Sequence, residues 1–115
     1  RARVTAVNID YEGSITIDPL LMEAADILPY EQVAVLNINN GARFDTYAKQ
    51  FEVSRWFYQL PGAAARLVAK GDRVIILSYC QVPDDEALSI KPKLVYVDFR
   101  NAIILTSEEA KVFSF

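Results

Sequence analysis

Apolar residues in this chain fall in short runs separated by turn-forming clusters, and the runs predict strands more often than helices. Residues 1–7 carry the β-branched content of a strand, and 8–13 read as a turn leading into a second strand over 14–17. The Gly13-Ser14 bond therefore sits at a turn-strand junction. Asp18-Pro19 has the chemistry of a helix start, and Leu20, Leu21, Ala24 and Ala25 follow at helical spacing, predicting a short helix that ends near Asp26. An apolar strand over 32–38, the turn Asn39-Asn40-Gly41-Ala42 and a partner strand over 43–51 predict a hairpin, since Asn-Gly tolerates the positive φ angles of a primed turn. Further on, a strand is expected over 56–60, a tight turn into one or two helical turns over 62–68, and another turn at Gly71-Asp72. The run Val74-Ile75-Ile76-Leu77 lies in an expected strand over 73–82 and suits burial on both faces. An alternating strand over 93–99, a turn at Arg100-Asn101 and a strand over 102–105 complete the pattern. About eight short strands with two small helices predict a closed β-barrel, because closure removes the edges that so many strands would otherwise expose.

The 115 residues, 52% of them hydrophobic, suit one domain spanning residues 1–115 with its own core. Net charge is -3 and the basic residues are scattered, which argues against a nucleic-acid partner. No run approaches the length of a membrane span and the first residues lack the apolar core of a signal peptide, so a soluble cytoplasmic protein is expected. Cys80 is the single cysteine and is expected to be a buried small hydrophobe; with no histidine there is no zinc-ligand set, and no metal is expected. Asp84-Asp85-Glu86 after Pro83 reads as the acidic first turn of a surface helix. The lack of histidine matters most, because His is the usual general base and the usual activator of Ser or Cys. An enzyme built from this chain needs other chemistry.

Three strings stand out: Tyr11-Glu12-Gly13-Ser14-Ile15-Thr16-Ile17-Asp18, Asn40-Gly41-Ala42-Arg43-Phe44-Asp45-Thr46-Tyr47 and Gly62-Ala63-Ala64-Ala65-Arg66. With Gly71-Asp72-Arg73-Val74-Ile75-Ile76-Leu77-Ser78-Tyr79 and Lys91-Pro92-Lys93-Leu94-Val95, they lie in the order of the bacterial pyruvoyl-dependent aspartate 1-decarboxylases, which the chain resembles from Arg1 to about Asp98. The resemblance implies a mainly β fold, a double-psi β-barrel with short helices, assembled as a homotetramer with active sites between subunits. It implies L-aspartate as substrate, β-alanine and carbon dioxide as products, and a place in pantothenate and coenzyme A synthesis. A maturation factor is a further partner that it admits.

The chemistry so implied suits a chain without histidine. The Ser14 hydroxyl would attack the Gly13 carbonyl, and the resulting ester would eliminate and hydrolyse, leaving a small fragment 1–13 and a larger one, 14–115, that begins with a covalent pyruvoyl group. That group would form a Schiff base with the substrate amine and act as an electron sink. By the same resemblance Arg43 would hold a substrate carboxylate, Tyr47 would return a proton, Thr46 would serve the ester stage of self-cleavage, and Tyr11, Gly62, Ala63 and Ala64 would line the pocket.

Without those flanks, a Gly-Ser pair is ordinary turn chemistry, and Arg43, Asp45 and Tyr47 on one strand face read as a solvated stripe. Thr46 faces the other way and would reach the same site only through a bulge or a neighbouring subunit. The family normally begins about a dozen residues earlier, with a strand carrying a Lys and a His. Pro61 stands where it has Asn, and Asp45 stands where Ser is common and is placed to pair with Arg43. These departures motivate the alternative of a catalytically silent, unprocessed barrel of the same family, and Asn40-Gly41 is read as turn chemistry alone.

Overall fold

The computed structural model describes residues 1–8, 14–50, 59–61 and 67–108. Among them are nine strands and two helices: β1 (Ala2–Arg3), β2 (Ala6–Asn8), β3 (Ile15–Ile17), α1 (Pro19–Ala25), β4 (Gln32–Asn37), β5 (Arg43–Gln50), β6 (Gln59–Pro61), β7 (Arg73–Leu77), α2 (Asp84–Ala87), β8 (Leu94–Val97) and β9 (Ile103–Ser107). Seven strands form one sheet in the order β1-β7-β4-β5-β3-β6-β2, and β8 and β9 form a separate hairpin. Laid flat, seven strands would be about 29 Å across. Yet the outermost two, β1 and β2, are joined through Val4 and Thr5 alone, a link that reaches at most about 11 Å. The sheet must curl back on itself. This mainly β barrel, mixed through the parallel pairs β2–β6 and β3–β5, fits the double-psi expectation.

Inside the curl lie Val4, Ile15, Ile17, Val33, Val35, Ala48 and Val74, with Leu21 and Met22 of α1 closing one end. The helix begins where Asp18 Oδ1 accepts the Leu20 N–H at 2.8 Å, with Pro19 in the first turn, and it ends at Asp26 in the left-handed conformation (φ 58). Buried Asn101 joins the β8–β9 hairpin to the barrel. Its Oδ1 accepts the Arg3 N–H at 2.7 Å and its Nδ2 donates to the Arg3 carbonyl at 2.9 Å, giving a strand edge the two bonds a neighbouring strand would supply. No helix among the described residues is long and apolar enough to cross a membrane.

Several expectations need correction. The first strand is two short ones, because Val4 exchanges hydrogen bonds with Gly71 and Asp72 before the chain moves on to pair with β6. The 37–42 turn is not a primed two-residue turn: only Gly41 in the loop has positive φ (76), and the Gly41 N–H closes a wider turn on the Asn37 carbonyl at 2.9 Å. The strand expected over 73–82 stops at Leu77, opposite Ala34, and Ile75 is 37% exposed, so β7 is not buried on both faces. Cys80 lies beyond that strand and is exposed. The strands expected over 93–99 and 102–105 appear as β8 and β9, with a bulge that leaves Ile104 unpaired. The helical turns expected over 62–66, the 9–13 turn and residues 56–58 lie outside the described residues.

Candidate functional site

Strand β5 carries three of the candidate residues, and its pleat separates them. Arg43, Asp45 and Tyr47 are exposed on one face, while Phe44, Thr46 and Ala48 turn inward, Ala48 fully buried. The β4–β5 register runs without interruption from Gln32 opposite Tyr47 to Leu36 opposite Arg43. No bulge therefore rotates Thr46 on to the outer face, and within one chain it stays on the opposite side from Arg43 and Tyr47. Asp45 does not form the expected ion pair with Arg43.

Strand β3 runs parallel to β5, with Ile15 beside Ala48 and Thr16 beside Lys49. Paired residues share a face, so one step before Ile15 the same register sets Ser14 alongside Tyr47, on the side that bears Arg43. Ser14 is fully buried, and its Oγ has no hydrogen-bond partner among the described residues. Leaving a buried hydroxyl unpaired costs about 1–3 kcal/mol, so such groups are rare and ask for an explanation. Tyr11, Gly13, Gly62, Ala63 and Ala64 lie outside the described residues. Pro61 ends β6 opposite Asn8.

Two supports were not legible in advance. Asn40 does more than turn the chain: its Nδ2 donates to the Leu67 carbonyl at 2.8 Å, and buried Asn37 donates to the same carbonyl at 3.0 Å and to Asp72 Oδ2 at 2.8 Å. Together they tie down the chain that leaves residues 62–66. The other is Tyr30, whose ring centroid lies 6.2 Å from that of Tyr47.

Arg43 and Tyr47 are exposed in the single chain, whereas Ser14 is buried. A surface depression of about 550 Å³ lies elsewhere, between α1 and the β8–β9 hairpin, beside the exposed pairs Lys91–Glu108 and Lys93–Asp26. It contains none of the candidate residues.

Comparison with known proteins gives the family. The aspartate decarboxylase family model matches residues 1–104. The chain belongs to the aspartate decarboxylase family. It is 57% identical over 101 residues to the aspartate 1-decarboxylase of Thermoanaerobacter pseudethanolicus, covering 88% of this chain and 86% of that one. It is 52% identical to the enzyme of that name from Dehalococcoides mccartyi (90% and 83% covered) and 49% identical to that from Psychromonas ingrahamii (97% and 89% covered). Family membership agrees with the mainly β, curled fold, and it extends through β8 to Ile104 in β9, so the hairpin belongs to the family's domain.

Proposed function

We propose that this chain is an aspartate 1-decarboxylase that becomes active by cutting itself between Gly13 and Ser14. The observation that carries the reading is the Ser14 hydroxyl, fully buried and unpartnered among the described residues at the head of β3, in a chain about half identical to proteins named for this reaction. A hydroxyl that has no hydrogen bond to give up, and is shielded from water, is suited to attack the carbonyl immediately before it.

In the self-cutting step the Ser14 Oγ bonds to the Gly13 carbonyl carbon and the Gly13–Ser14 C–N bond breaks. Elimination then frees the Gly13 carboxylate, and hydrolysis releases the former Ser14 nitrogen as ammonia. Thr46 acts at the ester stage. Because it projects from the inner face of β5 and no bulge turns it outward, it reaches that site from a neighbouring subunit.

A pyruvoyl group at residue 14 would supply an electron sink for the pair left behind when the α-carboxylate departs as carbon dioxide. The chain's own groups do the rest. Arg43, an exposed planar donor at the start of β5, holds the carboxylate that is kept, so that the bond to the departing one is fixed in direction. Tyr47, beside residue 14 in the register, donates its phenolic proton to the carbon left behind. Tyr11, Gly62, Ala63 and Ala64 line the pocket. Because the Arg43–Tyr47 face is open in one chain, a neighbouring subunit completes it, and the working form is a homotetramer in the cytoplasm that supplies β-alanine for pantothenate synthesis.

Intact-mass measurement tests the reading. The purified protein should give a fragment ending at Gly13 and a second one that is lighter by one ammonia than a chain starting with Ser14, together with β-alanine formation from L-aspartate. Uncut protein after prolonged warm incubation would sink it.

A further inference from the structure

Tyr30 adopts φ 67, a left-handed conformation that aromatic residues rarely take, and it is 70% exposed. Its position is nevertheless tightly determined. Leu28, Pro29, Tyr30 and Glu31 form a turn closed by the Glu31 N–H on the Leu28 carbonyl at 3.1 Å, and Glu31 Oε1 accepts the Leu28 N–H at 3.1 Å. Proline second and a positive φ third is the pattern of a type II turn, whose third place normally takes glycine or asparagine. The Tyr30 N–H then donates to the Ala48 carbonyl at 2.6 Å, and the Ala48 N–H to the Glu31 carbonyl at 2.9 Å. Residue 30 is thus clamped to the residue that follows Tyr47. The two rings lie 6.2 Å apart between centroids, inclined by 31°, within the range of an attractive aromatic pair.

A strained residue whose exposed ring is set against another ring by three main-chain bonds and one to the Glu31 carboxylate serves poorly as core packing. We propose that Tyr30 is a positioning residue for Tyr47: its ring restricts the rotamers of the Tyr47 side chain and keeps the phenol beside residue 14. This rests on the reading of Tyr47 as the proton donor. Tyr47 projects from an open strand face and is 37% exposed, so its own strand does little to limit where the phenol points. Backbone strain of this kind persists where the surroundings over-determine it, and it clusters at functional sites.

The test uses the full chain, with self-cutting, melting temperature, kcat and KM for L-aspartate measured for Tyr30→Asn, Tyr30→Phe, Tyr47→Phe and the double variant Tyr30→Asn with Tyr47→Phe. Asparagine accepts the left-handed backbone, so Tyr30→Asn should cut normally and melt no lower than the parent. It should nonetheless lose about two- to tenfold in kcat, the value of an aromatic pair, with KM nearly unchanged. Tyr30→Phe keeps the ring and should keep the parent rate. In the Tyr47→Phe background, Tyr30→Asn should cost nothing further, because the proton donor it positions is already gone. A slow Tyr47→Phe beside a Tyr30→Asn of parental kcat would overturn the positioning role and leave Tyr47 as donor. An equal further loss in the double variant would also overturn it. Parental turnover by Tyr47→Phe would instead remove the reading on which the inference stands.

Discussion

Ser14 and Tyr47 stand one residue ahead of Ile15 and Ala48, which pair between the parallel strands β3 and β5. Thirty-three positions apart in sequence, a candidate nucleophile and a candidate proton donor are brought together by strand register. The other face of β3 at Ile15 and Ile17 is core. A slip of one residue between β3 and β5 would part Ile15 from Ala48 and change which β5 residue stands beside Ser14, so the pairing that stabilises the barrel also bears on the site.

The first prediction concerns Ser14→Ala. It should abolish both the cut and decarboxylation, because no hydroxyl remains to attack. It should not destabilise the fold: the group removed is buried and unpartnered among the described residues, and truncating it relieves a desolvation cost of about 1–3 kcal/mol. Denaturant titration of uncut Ser14→Ala should give a midpoint equal to or above that of freshly made, uncut parent. A clear loss would mean that the hydroxyl carries a structural hydrogen bond.

Arg43→Ala should leave the cut intact, since Arg43 is exposed and lies four positions along β5 from Tyr47. A charge-assisted bond is worth about 1.5–3 kcal/mol, so kcat/KM for aspartate should fall roughly ten- to hundredfold. Tyr47→Phe should also be cut but turn over about a hundred- to ten-thousandfold more slowly, the usual range for losing a general acid. Parental β-alanine production by both variants would rule out this face as the active site.

Asn101 supplies a stability prediction independent of the chemistry. Its two bonds to Arg3 tie the β8–β9 hairpin to β1 from a fully buried position, and its backbone is left-handed (φ 61). Asn101→Gly keeps the backbone accessible but strands the Arg3 N–H and carbonyl, a cost of about 2–3 kcal/mol. Asn101→Ala adds the strain of a Cβ at positive φ and should be worse. Chemical denaturation that ranks Ala above Gly in stability would show that the left-handed conformation contributes little, and parental stability in both variants would show that the hydrogen bonds do.

The parts of this fold that were legible were those written locally. Asp18-Pro19 announces the helix cap, the pleat of β5 announces which side of the strand Arg43, Asp45 and Tyr47 share, and Gly71 (φ 91) announces its turn. Strand ends were less legible, because partners set them. The apolar run ends at Leu77, paired with Ala34, and Ser78 interrupts it, so Tyr79 and Cys80 are left exposed. Tyr30 could not be found in advance, since a tyrosine carries no turn signal and its conformation is imposed by Ala48, far along the chain. The Ser14–Tyr47 pairing was equally hidden, because it depends on a parallel register between strands separated by a helix and a hairpin.

Asp45 gives the last prediction. It is exposed on the same strand face as Arg43 and Tyr47, two residues from each, and it is not neutralised by pairing with Arg43. Aspartate arrives with two carboxylates, so a fixed negative charge one pleat from the candidate cation opposes binding. At the spacing of two strand residues, about 7 Å, and in water-like surroundings, the repulsion is worth about 0.6 kcal/mol, a factor of two to three in affinity. Asp45→Ser should therefore lower KM for L-aspartate by about two- to threefold in dilute buffer, with kcat and the Gly13–Ser14 cut unaffected. The sign distinguishes this from a structural effect, because disturbing β5 would raise KM. The origin can be checked by salt: near 1 M the screening length falls to about 3 Å and the advantage of Asp45→Ser should vanish. An advantage that persists in high salt would point to shape or hydrogen bonding at position 45, and a KM that rises at every salt concentration would mean that Asp45 helps to build the site.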